Sequence, residues 1–160
     1  NRGQDIDPTN TDLYGWDNHN DIFEGLQHHL LPRFDQGFSA LIEDLDEKGM
    51  LEDTLVICMG EFGRAPLVAL ERNFAGATPG RKHWSSVYSI ALAGAGVQRG
   101  AVIGESDSRG AFPRTEAYGP WDVTATMFSA LGINPHQIYY DLVNRPVPIC
   151  DGRVISSLYG

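Results

Sequence analysis

The sequence predicts an α/β fold in which helices flank a mostly parallel sheet. Residues 54–59 and 87–93 are continuous apolar runs of strand length, a pattern typical of strands that are covered on both faces. A long amphipathic helix pattern precedes the first run, and a shorter helix pattern follows the second. Strands buried on both faces favour a parallel arrangement, so we expect helices on both sides of one sheet.

The first predicted elements are a loop and two helices. Residues 14–21 are rich in turn-forming and metal-binding side chains, and the apolar spacing of a helix begins at Ile22. Pro32 is tolerated at a first helical position but not inside a helix. We therefore expect a short helix near 21–30 and a long one from about 32, which Gly49 ends.

The remaining elements follow the first strand. Residues 65–82 have no clear period and are expected to form an irregular loop, of a size that is often functional. A short strand at 101–103 and a helix at 121–131, closed by Gly132, complete the regular part. We expect the chain, 1–160, to be a single partial domain whose first 12 residues are irregular or disordered.

Composition excludes several classes of function. The net charge of −9 repels a phosphate backbone and argues against binding to nucleic acid or an anionic membrane. No segment reaches the ~18 uninterrupted apolar residues that a membrane helix needs. Cys58 and Cys150 are too few for a disulfide framework, so they leave the compartment unknown, and nothing in the sequence sets the oligomeric state. Cys58 is expected to be buried in its strand.

Three places in the sequence carry candidate metal ligands or catalytic groups. Asp17 and His19 lie two residues apart before a helix, and an extended backbone would put both side chains on the same side. His83 comes just before the second apolar run and is the best single ligand candidate. Oxygen and imidazole ligands that leave a position open for water or substrate are what metal-dependent hydrolases need.

The third place is the segment after the first predicted strand, where open α/β sheets bind ligands. There Glu61 is expected to ligate a metal or act as a base, and Arg64 to clamp a phosphate or sulfate through its planar fork. Arg81 and Lys82, beside His83, are the further cations expected to bind a small anionic ester substrate.

Several segments together resemble the family catalogued as domain of unknown function 1501. The resemblance covers nearly the whole chain and includes the stretches 15–19, 53–64, 81–84, 92–97, 102–104, 122–127, 130–133 and 145–148. That family is similar to the alkaline-phosphatase and sulfatase superfamily. The resemblance implies the C-terminal part of that fold, a mixed and mostly parallel sheet between helices, and ester hydrolysis at paired metal ions.

The resemblance also implies roles for individual residues. Asp17, His19 and His83 match, in order, the ligands of the superfamily's first metal site. Glu61 falls where a second-site Asp would be, but Phe62 replaces the His that follows it. The superfamily's nucleophile comes from an N-terminal half that this chain does not match, so we expect the chain alone to be inactive. Export from the cytoplasm is a further implication.

Other interpretations of these residues stay open. Asp17 also suits an N-cap or an Asx-turn, and Glu61 with Arg64 also suits a plain salt bridge. The leading hypothesis is a metal-dependent hydrolase-like domain of sulfatase or phosphatase type, with zinc favoured and manganese or calcium as alternatives. The competing hypotheses are a non-catalytic ligand- or protein-binding domain that kept the fold, and an extracellular partner-binding half-domain.

Overall fold

The N-terminal helices form one continuous helical run. The computed structural model describes residues 15–160. Helix α1, Ile22–Glu24, continues through a π-helical segment, Gly25–Leu30, into helix α2, Leu31–Glu47. The two helices are confirmed, but the separation expected before Pro32 is wrong. The wider π-helical turn lies directly before the proline, whose ring would crowd a regular helical turn and whose missing N–H would interrupt the hydrogen-bond ladder.

Gly49 ends the long helix, as predicted. It has φ +68°, a left-handed conformation that glycine adopts without steric cost, and a short 3₁₀ helix, Met50–Glu52, follows it. Helix α2 is strongly amphipathic, yet no residue in it is fully buried. Its apolar stripe is therefore only partly covered by the rest of the described chain.

The described strands form three separate antiparallel pairs. They are β1, Val56–Cys58, with β4, Ala91–Ala93; β2, Gly63–Arg64, with β3, His83–Trp84; and β5, Ile138–Tyr140, with β6, Pro146–Pro148. Residues 15–160 contain no parallel pair and no sheet of more than two strands. The expected mostly parallel α/β sheet, and with it the alkaline-phosphatase or sulfatase-like fold, is therefore wrong.

The two apolar runs account for this error. Only three residues of each run are in a strand, and Ile57 pairs with Leu92 in an antiparallel register. Every residue of β1, including Cys58, is half-buried, so the strand is not covered on both faces. A continuous apolar run is typical of a strand covered on both faces, but here the second face is left partly open. The strand expected at 101–103 is absent, and the side chain of Val102 is 92% exposed.

The C-terminal helix was predicted correctly and anchors the small core. Helix α3, Pro120–Ala130, is followed by Gly132 at φ +73°. Its buried Asp122 carboxylate accepts hydrogen bonds from the backbone N–H groups of Gly119 and Arg153, at 2.7 and 2.9 Å. The core cluster on this side consists of buried and half-buried apolar side chains: Val123, Ile155, Leu158, Ile57, Ile90, Leu92, Val97, Ile103 and Tyr118.

The loop at 65–82 is irregular, as expected, apart from one isolated bridge between Ala69 and Gly80. The expectation for residues 1–12 lies outside the described residues. None of the helices in 15–160 combines the length and apolar character that a bilayer crossing requires. Strands β2 and β3 matter most for the candidate site, because they bring 63–64 and 83–84 side by side.

Candidate metal centre

Asp17, His19 and His83 meet at one point, although His83 is distant from the other two in sequence. One ligand atom from each lies within 4.8 Å of the others. His83 Nε2 is 2.9 Å from Asp17 Oδ1, and His19 Nδ1 is 3.9 Å from the same oxygen. Ligands bound tetrahedrally to one zinc at about 2.0–2.1 Å lie about 3.3–3.4 Å apart. Two of the separations lie on either side of that distance and all three are within 4.8 Å, so the side chains would have to move closer together to share one ion.

The surroundings favour the protonation states that bind a cation. Burial alone would raise the pKa of Asp17, but its hydrogen bond with His83 and the nearby positive charges of His19, His83 and Arg64 hold that pKa below its usual value. Burial, helped by the positive charges of His83 and Arg64, lowers the pKa of His19. An ionised carboxylate and a neutral imidazole are therefore favoured.

His19 has an unusual buried environment. The residue is only 5% exposed, and its Nδ1 atom is buried without a hydrogen-bond partner. A buried polar atom without a partner costs free energy, so this atom is a natural position for a bound ligand. Phe74 stacks on the His19 ring at 3.7 Å, and Phe62 packs against His83 at 4.2 Å. The two phenyl rings thus restrict the orientation of both imidazoles.

The loop that carries Asp17 and His19 is held by the two residues that follow His19. Asn20 is fully buried; its side chain donates to the carbonyls of Glu71 and Phe74 and accepts from the Glu71 N–H. Asp21 accepts from the N–H groups of Ala77 and Thr78 while its own backbone is left-handed, at φ 51°. These hydrogen bonds hold residues 71–78 beside the site.

Gly80 allows the chain segment before His83 to approach His19. A Cβ at position 80 would lie 1.6 Å from the carbonyl oxygen of His19, far inside any van der Waals contact. The next residue, Arg81, donates its N–H to that same carbonyl at 3.0 Å. Only glycine fits here, and the approach it permits brings the two ligand-bearing segments together.

The structure decides between some of the alternatives for Asp17. The first helix begins at Ile22 and its N-cap position is Asp21, so Asp17 is not the helix N-cap. The Asp17 carboxylate instead contacts the two imidazoles. Sequence reasoning missed Asn20, Asp21 and Phe74. The only signal for the first two was the density of Asn and Asp in 17–21, because their partners lie more than fifty residues away.

Glu61 and Arg64 differ in their burial and in the contacts that they make. Glu61 is exposed and is not a member of the three-residue cluster, and its charge acts on Arg64 by attraction, in the direction that raises the pKa of the guanidinium. Arg64 is half-buried and donates to two backbone carbonyls, those of Arg81 and Trp16. A plain Glu61–Arg64 salt bridge is therefore not what holds Arg64 in place.

The two other predicted substrate cations have protein partners. Lys82 Nζ lies 3.7 Å from a carboxylate oxygen of Glu71, and the Arg81 guanidinium lies 5.8 Å from the centre of the Phe23 ring. Nε of Arg81 is buried without a hydrogen-bond partner. Substrate binding by these two residues stays a prediction.

Comparison with known proteins gives one match. The family model described as "Protein of unknown function (DUF1501)" matches residues 5–159, so the chain belongs to this family. No curated protein and no solved structure gave a significant match. The likeness to sulfatases and phosphatases gains no support from the antiparallel strand pairs described above.

Proposed function

We propose that this member of the family binds one divalent metal ion through Asp17, His19 and His83. The observation that carries the proposal is their convergence around an otherwise unpartnered, buried His19 Nδ1 atom. Two imidazoles and one carboxylate are the ligand types that zinc prefers, whereas calcium and manganese favour sites richer in oxygen. Zinc is therefore the first choice.

We further propose that the site serves hydrolysis of a small anionic ester. Three protein ligands leave a coordination position open, and a zinc ion would supply a Lewis acid there and lower the pKa of a coordinated water to about 7. The side chains of Asp17 and His83 are 67% and 39% exposed, so a small substrate can reach them. Arg81 and Lys82, which precede His83 in the sequence, are the cations that would attract the anionic group of such a substrate.

Metal content of the purified chain tests the first proposal. Elemental analysis is expected to find about one zinc per chain, and both Asp17→Ala and His83→Ala should lose it, because each removes a ligand. His136→Ala is the matched control, since His136 is an exposed histidine outside the cluster. Zinc that stays in both ligand variants would contradict the proposed site.

Hydrolysis of aryl phosphate and aryl sulfate monoesters tests the second proposal. Turnover that needs zinc and disappears in His83→Ala would support a hydrolase. Stoichiometric zinc without turnover would favour the second candidate function, a non-catalytic ligand- or partner-binding domain. Two observations favour that candidate: Phe62 occupies the space beside His83, and several large apolar side chains are exposed, including Val102, Leu131 and Leu142.

A further inference from the structure

We infer that Arg64 is a positioning residue of the metal site, because its guanidinium ties together the two chain segments that carry the ligands. The inference rests on the proposed function, since it concerns the same three ligands. It assigns Arg64 a task other than clamping a substrate anion.

The geometry places Arg64 between the two segments. One terminal nitrogen donates to the carbonyl oxygen of Trp16 at 3.2 Å, and the other donates to that of Arg81 at 3.3 Å. Trp16 directly precedes Asp17, and Arg81 lies two residues before His83. On its own strand, Arg64 also pairs with His83 in the β2–β3 register. A single side chain therefore contacts the backbone next to two of the three ligands.

Arginine suits this task better than any other residue. Its planar fork carries donors that point in fixed, separate directions, so it can bind two carbonyls at once, whereas the ammonium of lysine is a compact point charge. The guanidinium is half-buried, and a buried cation must satisfy its donors to offset the loss of water. The carbonyls of Trp16 and Arg81 accept these hydrogen bonds only while both segments stay in place.

The Arg64 hydrogen bonds act on the backbone and do not compete with metal binding by the side chains. Without metal, Asp17 and His83 are joined by their own hydrogen bond of 2.9 Å. A bound metal would replace that hydrogen bond with bonds from both side chains to the ion, so the ion would then join them. The Arg64 hydrogen bonds use backbone carbonyls instead, and they remain available to hold the segments at ligand distance.

The charge of Arg64 and its proposed positioning role predict opposite changes in zinc affinity when Arg64 is replaced. A fixed positive charge beside the site repels a divalent cation, so if only its charge mattered, its removal would tighten zinc binding. If Arg64 clamps a substrate anion and does nothing else, zinc affinity would likewise stay equal or rise. The positioning role alone predicts weaker zinc binding.

The test measures the zinc dissociation constant of the chain by competition with a coloured chelator. Arg64→Met is expected to bind zinc about 10- to 100-fold more weakly than wild type, the usual cost of losing a group that orients a metal ligand. Arg64→Lys keeps the charge but not the fork, and should also bind more weakly. Arg99→Met is the matched control, because it removes an exposed cation paired with Asp46, and it should bind as wild type does.

A spectroscopic readout separates positioning from a general loss of stability. The visible spectrum of the cobalt-loaded chain reports the geometry of the ligands around the ion in the protein that remains folded. It should change in Arg64→Met and stay the same in Arg99→Met. If Arg64→Met fails to fold, Arg64→Lys decides: weaker binding with an altered cobalt spectrum supports the inference, and wild-type behaviour overturns it.

The possible failures are distinguishable. If wild type binds zinc and Arg64→Met binds it equally well or more tightly, the positioning role is wrong and the proposed metal site stands. If wild type itself binds no zinc, the proposed function is wrong and the inference falls with it.

Discussion

At the scale of single residues, His19 differs most from an ordinary surface histidine. It is buried, its Nδ1 has no hydrogen-bond partner, and Phe74 stacks on its ring. Burial lowers its pKa, so the folded chain holds the neutral imidazole. Protonation would place a charge in this pocket and would also remove the lone pair that a metal needs.

The pH dependence of folding should reveal this residue. The pKa of His19 in the folded chain lies below the unfolded value of about 6.5, so its contribution to stability is complete above that pH and is lost as pH falls towards the folded pKa. We expect the metal-free chain to lose stability below about pH 6.5. Urea unfolding in the presence of a chelator, at a series of pH values, measures this.

A substitution at His19 shows whether this residue causes the pH dependence of stability. His19→Gln should flatten the pH dependence between neutral and mildly acid pH, because no imidazole then has to be protonated on unfolding. His136→Gln should leave it unchanged, since His136 is exposed. An equally steep loss of stability in His19→Gln would show that another group is responsible.

At the scale of elements, the site depends on the close approach of 15–21 to 71–83. Gly80 permits that approach, so Gly80→Ala is expected to destabilise the chain by about 1–3 kcal/mol, the usual cost of forcing extra volume into a packed place. It should also weaken zinc binding, because the clash is with the carbonyl of His19. Urea unfolding and chelator competition are the measurements.

Gly37 supplies the control for that change. It lies inside helix α2, and a Cβ there would meet nothing within 4 Å. Gly37→Ala should therefore stabilise the chain by about 0.5–1 kcal/mol, the difference in helix propensity between the two residues. A Gly80→Ala chain as stable as wild type would mean that the two segments do not meet as described.

Asp21 is a second residue that holds the segments 15–21 and 71–83 together. The hydrogen bond from the Thr78 hydroxyl lowers its pKa most, with further help from the N–H groups of Ala77 and Thr78. Asp21→Ala should release 71–78 and speed amide hydrogen exchange there, while Asp35→Ala on the exposed face of α2 should not. Unchanged exchange at Ala77 and Thr78 would contradict the anchoring role.

The elements also show what sequence alone can predict. The pattern at 121–131 predicted α3 because helix periodicity is local, and Gly49 and Gly132 marked helix ends for the same reason. The pairing of β1 with β4 could not be predicted, because strand direction depends on contacts far apart in sequence. The antiparallel pairs β2–β3 and β5–β6 were missed, since their strands are only two or three residues long.

Three of the predicted site residues lie close together although the predicted sheet is absent. Asp17, His19 and His83 were chosen from residue type and setting. Glu61 was predicted from its place after a strand and from the family resemblance, and it is not a member of the three-residue cluster. Local residue patterns thus identified side chains that meet in space, whereas the direction of the strands depends on contacts that are distant in sequence.

At the scale of the whole molecule, the described chain has a small core and much exposed apolar surface. Only ten apolar residues in 15–160 are buried, so a link that closes a loop between distant segments would add to a small core. A metal joining Asp17 to His83, 66 positions apart, would close a long loop of this kind.

Zinc should therefore raise the melting temperature. A ligand that binds only the folded state contributes about 2.7 kcal/mol at a free concentration of 100 times its dissociation constant. For a chain of this size that corresponds to an increase of about 5–10 °C. Differential scanning fluorimetry with and without zinc measures it, and His83→Ala, which lacks one ligand, should show no such increase.

Of the five histidines in the chain, only His19 and His83 should bind zinc. Proton–nitrogen correlation spectra of the histidine rings, recorded during a zinc titration, identify the bound nitrogens directly. We predict that His19 Nδ1 and His83 Nε2 shift together and saturate at one zinc per chain, while the rings of the other three stay unchanged. Zinc-dependent shifts at His28 or His136 instead, or none at His19, would contradict the account.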